Sequence, residues 1–487
     1  MNYNKDVSRR SFLAMLGTST AALAAASSGL GPLMETAEAS ASKLLGSPAA
    51  LPFPALSAQT ADRLSIPSGY SVNILSKDAA GGYAGFWSSG SSNEGRLWVS
   101  RSVNADPSKR GASVYDVKRA DASSAWSVTA ERRVTALDRV RLTGPASGSK
   151  TLHNVTVAQG LWSNGTGGRT PWGTVFAGEQ AADTGAAKAG LVPVATGWMA
   201  EADPADGSFA IRKHTALGRF NHGHAAAVIA RDKHAVVYMG SDKALFKFVS
   251  DDTYDSQLGS SNSKLLEAGK LYAADLGRGS WIELTVDAVH TKLSDPSFRV
   301  PDNVGRLKED LLDDIQNQAD VLVYAQEAAL ILGATALEQA TGVAVHPADQ
   351  SLFVAQVGSA ATGHGFGSVL RLVEEDGNAS AARFETDLAV SGSRQAGFSS
   401  PSAIAFDSSG RLWIATAIPQ AHLNEGAYAP FGNNGLLVLT PKGDTLGKAE
   451  AFAYAPVKGM FSAPSFGPEG TLFTATEGAD ILAIRRS

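Results

Sequence analysis

The sequence predicts an all-β fold, a β-propeller, with a small helical insertion around residues 304–337. Three observations carry this. One phrase recurs, a turn residue followed by three or four β-branched, aromatic or aliphatic residues and then small ones. It appears as Gly95–Ser100, Gly173–Gly178, His234–Gly240, Gly269–Ala274, Gln350–Ala355, Gly410–Ala415 and Gly470–Ala475. The last three begin at 350, 410 and 470, the even spacing produced when each repeat is one four-stranded blade. The chain also holds 50 glycines, in keeping with many tight turns between short strands. Six blades are expected, with seven as the alternative, and the uneven earlier spacings require insertions between blades.

From the N-terminus, Ser8-Arg9-Arg10-Ser11-Phe12-Leu13 has the twin-arginine form, and an Ala/Ser/Thr-rich run follows to about Met34. Ala37-Glu38-Ala39 fits a small-x-small cleavage site. Residues 1–39 are therefore expected to be a signal handled by the twin-arginine export machinery, giving a periplasmic or secreted protein. The run is diluted by Ser, Thr and Gly and contains Pro32, so no stable membrane anchor is expected. Residues 40–59, rich in Ala, Ser, Pro and Leu, read as a flexible lead-in. Residues 60–487 are expected to form one domain, opening with alternating apolar residues in Leu64–Leu75.

The insertion is read from Val304–Asn317, where Leu307, Leu311, Leu312 and Ile315 fall near a helical period, and from the Ala/Leu-rich segment Asp320–Leu337. Hydrophobic residues make up 44% of the chain, enough for a sizeable core. A formal net charge of −5, with no Lys/Arg-rich block, argues against a nucleic-acid partner. The absence of cysteine removes disulfides, thiolate nucleophiles and Cys-based metal sites, leaving oxygen and imidazole as the strong metal ligands. No nucleophile-elbow, phosphate-loop or His-Glu-x-x-His motif occurs.

Function is sought first between Trp162 and Ser250. The strands Thr174–Ala177 and Ala235–Met239 end in Gly178-Glu179 and Gly240-Ser241-Asp242, and in a radial fold such ends gather around one opening. His222 and His224 are two apart, on one side of an extended chain. With Glu179 and Asp242 they are candidate ligands of a His₂–carboxylate metal site, the plainer alternative being hydrogen-bonded loop rings. Glu179 is also a candidate catalytic base, against a carboxylate that is solvated or paired with Arg219. Arg101 is a candidate grip for an anionic small-molecule ligand, against a surface arginine. Trp98, Trp172 and Trp413 are expected to pack between blades rather than to form a stacking platform.

Further phrases resemble a known family: Asp62–Tyr70, Leu142–Gly148, Thr170–Thr174, Thr215–Phe220, Val237–Gly240, Phe398–Pro401, Gly410–Ile414 and Gly432–Asn434. In this order, over nearly all the chain beyond its signal, they are similar to the PhoX-type alkaline phosphatases. The resemblance implies a propeller with a central calcium and iron site, carboxylates as ligands and an arginine gripping the phosphoryl group. Cations there offset charge on the phosphoryl oxygens and generate the attacking oxygen. Such ions need hard anionic oxygen ligands in number.

The sequence departs from the family at those positions. The family's Asn-His-Glu is Ser100-Arg101-Ser102, its Cys-Glu-Glu is Gly178-Glu179-Gln180, and its His-Glu is His222-Gly223. Gln339-Ala340-Thr341 stands for Arg-Pro-Glu, Pro401-Ser402 for Pro-Asp, and Gly165, Ala417 and Gly459 replace a Cys, an Asp and a Glu. Multivalent cations lacking their carboxylates would be uncompensated charge in a partly buried site. No cofactor is therefore expected here, although calcium and iron serve the family. Two functions follow: an exported propeller with an eroded phosphatase centre that binds a ligand or partner or has altered chemistry, or a metal-dependent phosphomonoester hydrolase with replacement ligands.

Overall fold

A computed structural model describes residues 51–77, 81–102, 106–181, 184–359, 365–442, 445–476 and 480–487. The twin-arginine segment, its cleavage site and the first part of the lead-in lie outside these residues.

Six sheets of four or more strands follow one another around the ring, and they form a six-bladed β-propeller. Each blade contributes one innermost strand: Gly81–Ser88, Ser163–Arg169, His222–Ile229, Gly342–Val345, Pro401–Phe406 and Ser465–Phe466 for blades 1 to 6. These strands neighbour one another around the axis. Glycine permits their close approach. A Cβ on Gly168 of blade 2 would lie 1.9 Å from the Ala225 carbonyl oxygen of blade 3.

Six of the seven recurring phrases are the second strands of their blades, as in Val175–Glu179, Leu352–Gln356 and Leu412–Thr416, each buried along its whole length, whereas Gly269–Ala274 falls in the fourth strand of blade 3. A second strand is covered on both faces because blades stack face to face, so it reads as an unbroken apolar run. The core accordingly sits between blades rather than on the axis. Phe353, Val369, Ile404 and Leu437 fill the space between blades 4 and 5, and Phe86, Leu97, Phe473 and Ile481 that between blades 6 and 1.

Blade 6 is closed by both ends of the domain. Tyr70–Ser76 pairs antiparallel with Ile481–Arg486, with Tyr70 opposite Arg486. The lead-in, expected to be flexible, is packed from residue 51 onward. Phe53 is buried with its ring 4.9 Å from Phe452, and Leu56 bridges to Ala451. An aromatic side chain that can bury this much surface is not left mobile.

The helical insertion starts earlier than its predicted bounds. Helices Val286–Ser294, Lys308–Asp314, Gln318–Val323 and Ala325–Leu332 lie between the last strand of blade 3 and the first of blade 4. Val289, Leu293, Leu311, Ile315 and Ile331 pack with Phe246 and Phe248 of blade 3. Asn317 and Asp320 form a capping box at the start of Gln318–Val323, which satisfies the first amides of that helix.

Candidate functional site

An innermost strand leaves one face of the ring and the second strand returns to it. The starts of the former and the ends of the latter therefore share one rim. Ser100–Ser102, Ser163–Thr166, Glu179, Gln180, Asn221, His222, Asp242, Gln339–Thr341, Gln356, Ser399–Ser402 and Thr416 all lie at these strand ends. The chain thus brings Glu179, His222 and Asp242 to the same rim, as the sequence suggests.

Glu179 is fully buried at the end of its strand, and its carboxylate is engaged by its own chain. Oε1 is 2.8 Å from Lys213 Nζ and accepts the Trp162 backbone N–H at 2.8 Å. Oε2 accepts the Trp198 N–H at 3.3 Å. Lys213, equally buried, donates further to the carbonyls of Ala195 (2.9 Å) and Gln159 (3.2 Å). The predicted alternative partner, Arg219, instead donates to the carbonyls of Thr196 and Pro193. A carboxylate saturated in this way stabilises a blade and is unavailable as a base.

His222 and His224 do not act as a pair. The register shifts between His222 and Ala225, which breaks the alternation that would have set both rings on one side. His222 Nε2 meets the Gly218 carbonyl at 3.2 Å, whereas His224 Nδ1 meets the Gly167 carbonyl at 3.1 Å. Burial lowers both rings' pKa, to about 3 for His222 and about 4 for His224, so both are neutral near pH 7. Asp242 accepts from Asn221 Nδ2 at 3.2 Å. His222 Nδ1 and Asp242 Oδ1 remain buried without a hydrogen-bond partner among the described residues.

Arg101 is neither a surface residue nor directed to the rim. It is buried, with Nε donating to the Lys109 carbonyl at 3.1 Å and Nη1 to Ser113 Oγ at 3.3 Å, both within blade 1. Trp98, Trp172 and Trp413 are core residues whose indole N–H groups reach Ser100 Oγ, Glu201 Oε1 and Asp407 Oδ2.

Hydroxyls at the departed positions tie one blade to the next. Ser100 Oγ donates to the Thr166 carbonyl (blades 1 and 2), and Thr341 Oγ1 to the Ser402 carbonyl (blades 4 and 5). Asn164 Nδ2 and Thr166 Oγ1 both donate to the His222 carbonyl (blades 2 and 3). Gln356 Nε2 and Ser399 Oγ, by contrast, are buried with no partner among the described residues. Reading the sequence missed Lys213 and Arg110. Arg110 lies 4.0 Å over the Trp162 ring and donates to Gln180 Oε1 at 3.2 Å. Neither belongs to a recurring phrase, so no spacing pointed to them.

Two further buried carboxylates are closed by internal side-chain partners. Glu201 meets His214 Nε2 and Ser263 Oγ, and its pKa is lowered mainly by His214 against the cost of burial. Glu374 meets Lys247 Nζ at 3.1 Å, and burial lowers the lysine pKa to about 8.

A six-bladed propeller with a polar rim of this kind belongs to a class that supports both enzymes and binding proteins. Comparison with protein families matches residues 88–478 to the family described as alkaline phosphatase PhoX, and the chain belongs to that family. Among solved structures it is similar to Pseudomonas fluorescens PhoX in complex with vanadate, a transition state analogue. That match has 22% identity and a TM-score of 0.73, over 89% of this chain and 98% of that one. A calcium structure of a Trichoderma reesei carbohydrate-active enzyme of family AA12 matches at 10% identity and a TM-score of 0.41, over 88% and 98%. No curated protein sequence matches the chain.

Family membership corrects one expectation. PhoX phosphatases depend on calcium and iron, so the expectation of a chain without a cofactor is overturned, and metal dependence is the starting point. The described residues do not themselves supply a matching donor set. Glu179 is occupied by Lys213, and no group of three or more His, Asp or Glu is placed to hold an ion among the described residues. Calcium takes six to eight oxygen ligands.

Proposed function

We propose that this chain is an exported member of the PhoX family whose rim has been rebuilt to recognise an anionic small molecule, with the phosphatase centre largely eroded. The observation that carries this reading is the engagement of Glu179 by Lys213 and two backbone amides. Its lone pairs are directed to the protein rather than to a cation or a water. The tying of Ser100, Thr341 and Ser402 to backbone carbonyls supports the same conclusion. The unpartnered donors on Gln356 and Ser399 suit an acceptor-rich ligand, because a buried donor left unpaired is costly until something bonds it. Export rests on the twin-arginine segment and cleavage site. Among the described residues no helix is long and apolar enough to cross a membrane.

A second reading, a phosphomonoester hydrolase with replacement ligands, draws on the family and on the unpartnered His222 Nδ1 and Asp242 Oδ1. Hydrolysis of p-nitrophenyl phosphate by the mature protein, with calcium and iron supplied, separates the two. The first reading expects turnover at background. Turnover that is lost in His222→Leu and Asp242→Asn would establish the second.

A further inference from the structure

The axis of the propeller holds a cavity of about 260 Å³ away from the rim, where the innermost strands run toward the opposite face. Its walls are about as polar as they are apolar, the apolar part including Val343 of blade 4 and Ile404 and Phe406 of blade 5. Three polar side chains from three other innermost strands join this lining: Tyr83 of blade 1, Arg169 of blade 2 and His224 of blade 3. Among the described residues, Arg169 is the one charged residue of the lining and no carboxylate lines the cavity with it. We propose that this axial cavity binds a small organic carboxylate, its anionic head on Arg169 and Tyr83 and its compact apolar body against Val343, Ile404 and Phe406.

The chemistry of the three polar groups supports this assignment. Arg169 spends one N–H on the Phe86 carbonyl at 3.3 Å and lies 5.1 Å over the Trp87 ring, which holds the guanidinium in place and leaves further N–H groups for a ligand. The Tyr83 hydroxyl has no hydrogen-bond partner within the described residues. Burial raises its pKa to about 12 while the Arg169 charge opposes the rise, so it remains an O–H donor close enough to feel the guanidinium. His224 stands edge-on to Tyr83, with ring centroids 6.0 Å apart. Its Nδ1 is committed to the Gly167 carbonyl, so the neutral ring offers Nε2 as an acceptor to a hydroxyl or amide on the ligand. A concave site in which a few convergent polar groups stand beside apolar surface can fix the orientation of a small molecule.

Isothermal titration of the mature protein with benzoate and with its neutral analogue benzamide tests this. Benzoate is expected to bind, and benzamide about tenfold more weakly or worse, because only the carboxylate makes the charge-assisted bonds. Arg169→Gln, a change at an exposed side chain, is expected to reduce benzoate affinity about tenfold or more and leave benzamide unchanged. Tyr83→Phe should weaken both. Circular dichroism establishes that each variant is folded. Failure of benzoate to bind folded wild-type protein at millimolar concentration would overturn the proposal, as would equal binding to wild type and Arg169→Gln. Lys270→Gln, which removes an exposed cation outside both the rim and the cavity, should leave benzoate binding intact; an equal loss there would trace the Arg169 effect to net charge and refute the axial site.

Discussion

Lys213→Met tests the feature on which the functional reading turns. The substitution keeps much of the side-chain volume and removes the ammonium from three acceptors: Glu179 Oε1 and the carbonyls of Gln159 and Ala195. Both members of the ion pair are fully buried, so the carboxylate left behind keeps two backbone N–H groups and has no route to water. Breaking one partner of such a pair costs about 3–5 kcal/mol. At roughly 0.9 kcal/mol per degree for a domain of this length, the thermal midpoint should fall by about 3–6 °C. Glu179→Gln should be destabilising for the converse reason, leaving the ammonium unpaired. The double variant should be more stable than the sum of the singles by about 2 kcal/mol, because neither buried charge then remains. Denaturant unfolding of the four proteins measures this coupling. Additivity within about 0.5 kcal/mol would refute the argument and leave Glu179 free for other chemistry.

Other expected outcomes follow from the same structure. His222 and His224 have folded pKa values below the unfolded value of about 6.5, so the unfolded state binds more protons between pH 6.5 and about 4. Stability should therefore fall as pH drops through that window, by up to about 1.4 kcal/mol per pH unit for each ring. His222→Leu should flatten the slope, and an unchanged acid profile would contradict the assignment. Phe53→Ala should cost about 3–5 kcal/mol in denaturant unfolding, since its ring is packed against Phe452 and Trp413; a neutral result would return this segment to a flexible tether. Gly168→Val should destabilise by about 3 kcal/mol or more, because its Cβ would strike the Ala225 carbonyl of the next blade. The fraction recovered as soluble protein reports this directly.

Much of the architecture was legible because second strands are buried on both faces. The phrases starting at 350, 410 and 470 proved to be the second strands of blades 4, 5 and 6. The earlier spacing was obscured by connectivity. Blade 2 receives its two outer strands, Arg139–Thr143 and Val157–Gln159, before its innermost strand begins, and the first of these pairs parallel with Arg212–His214. No local periodicity announces such a detour. At the rim, the positions of Glu179, His222 and Asp242 were readable from strand ends, but their partners were not. Lys213 reaches Glu179 from the fourth strand of the same blade, and a register shift that sequence does not signal parts His222 from His224. Arg101 illustrates the same limit. Its place at a strand end was visible, while its turn toward Ser113 depends on packing within blade 1.

The pairing of Tyr70–Ser76 with Ile481–Arg486 also governs how the chain matures. The earlier of these segments is synthesised long before its mate, and until then it carries a row of idle backbone amides and carbonyls. Such an edge invites pairing with a neighbouring chain. Ring closure is thus among the last folding events, and a ribosome that stalls just short of the final strand would release a chain prone to joining its siblings.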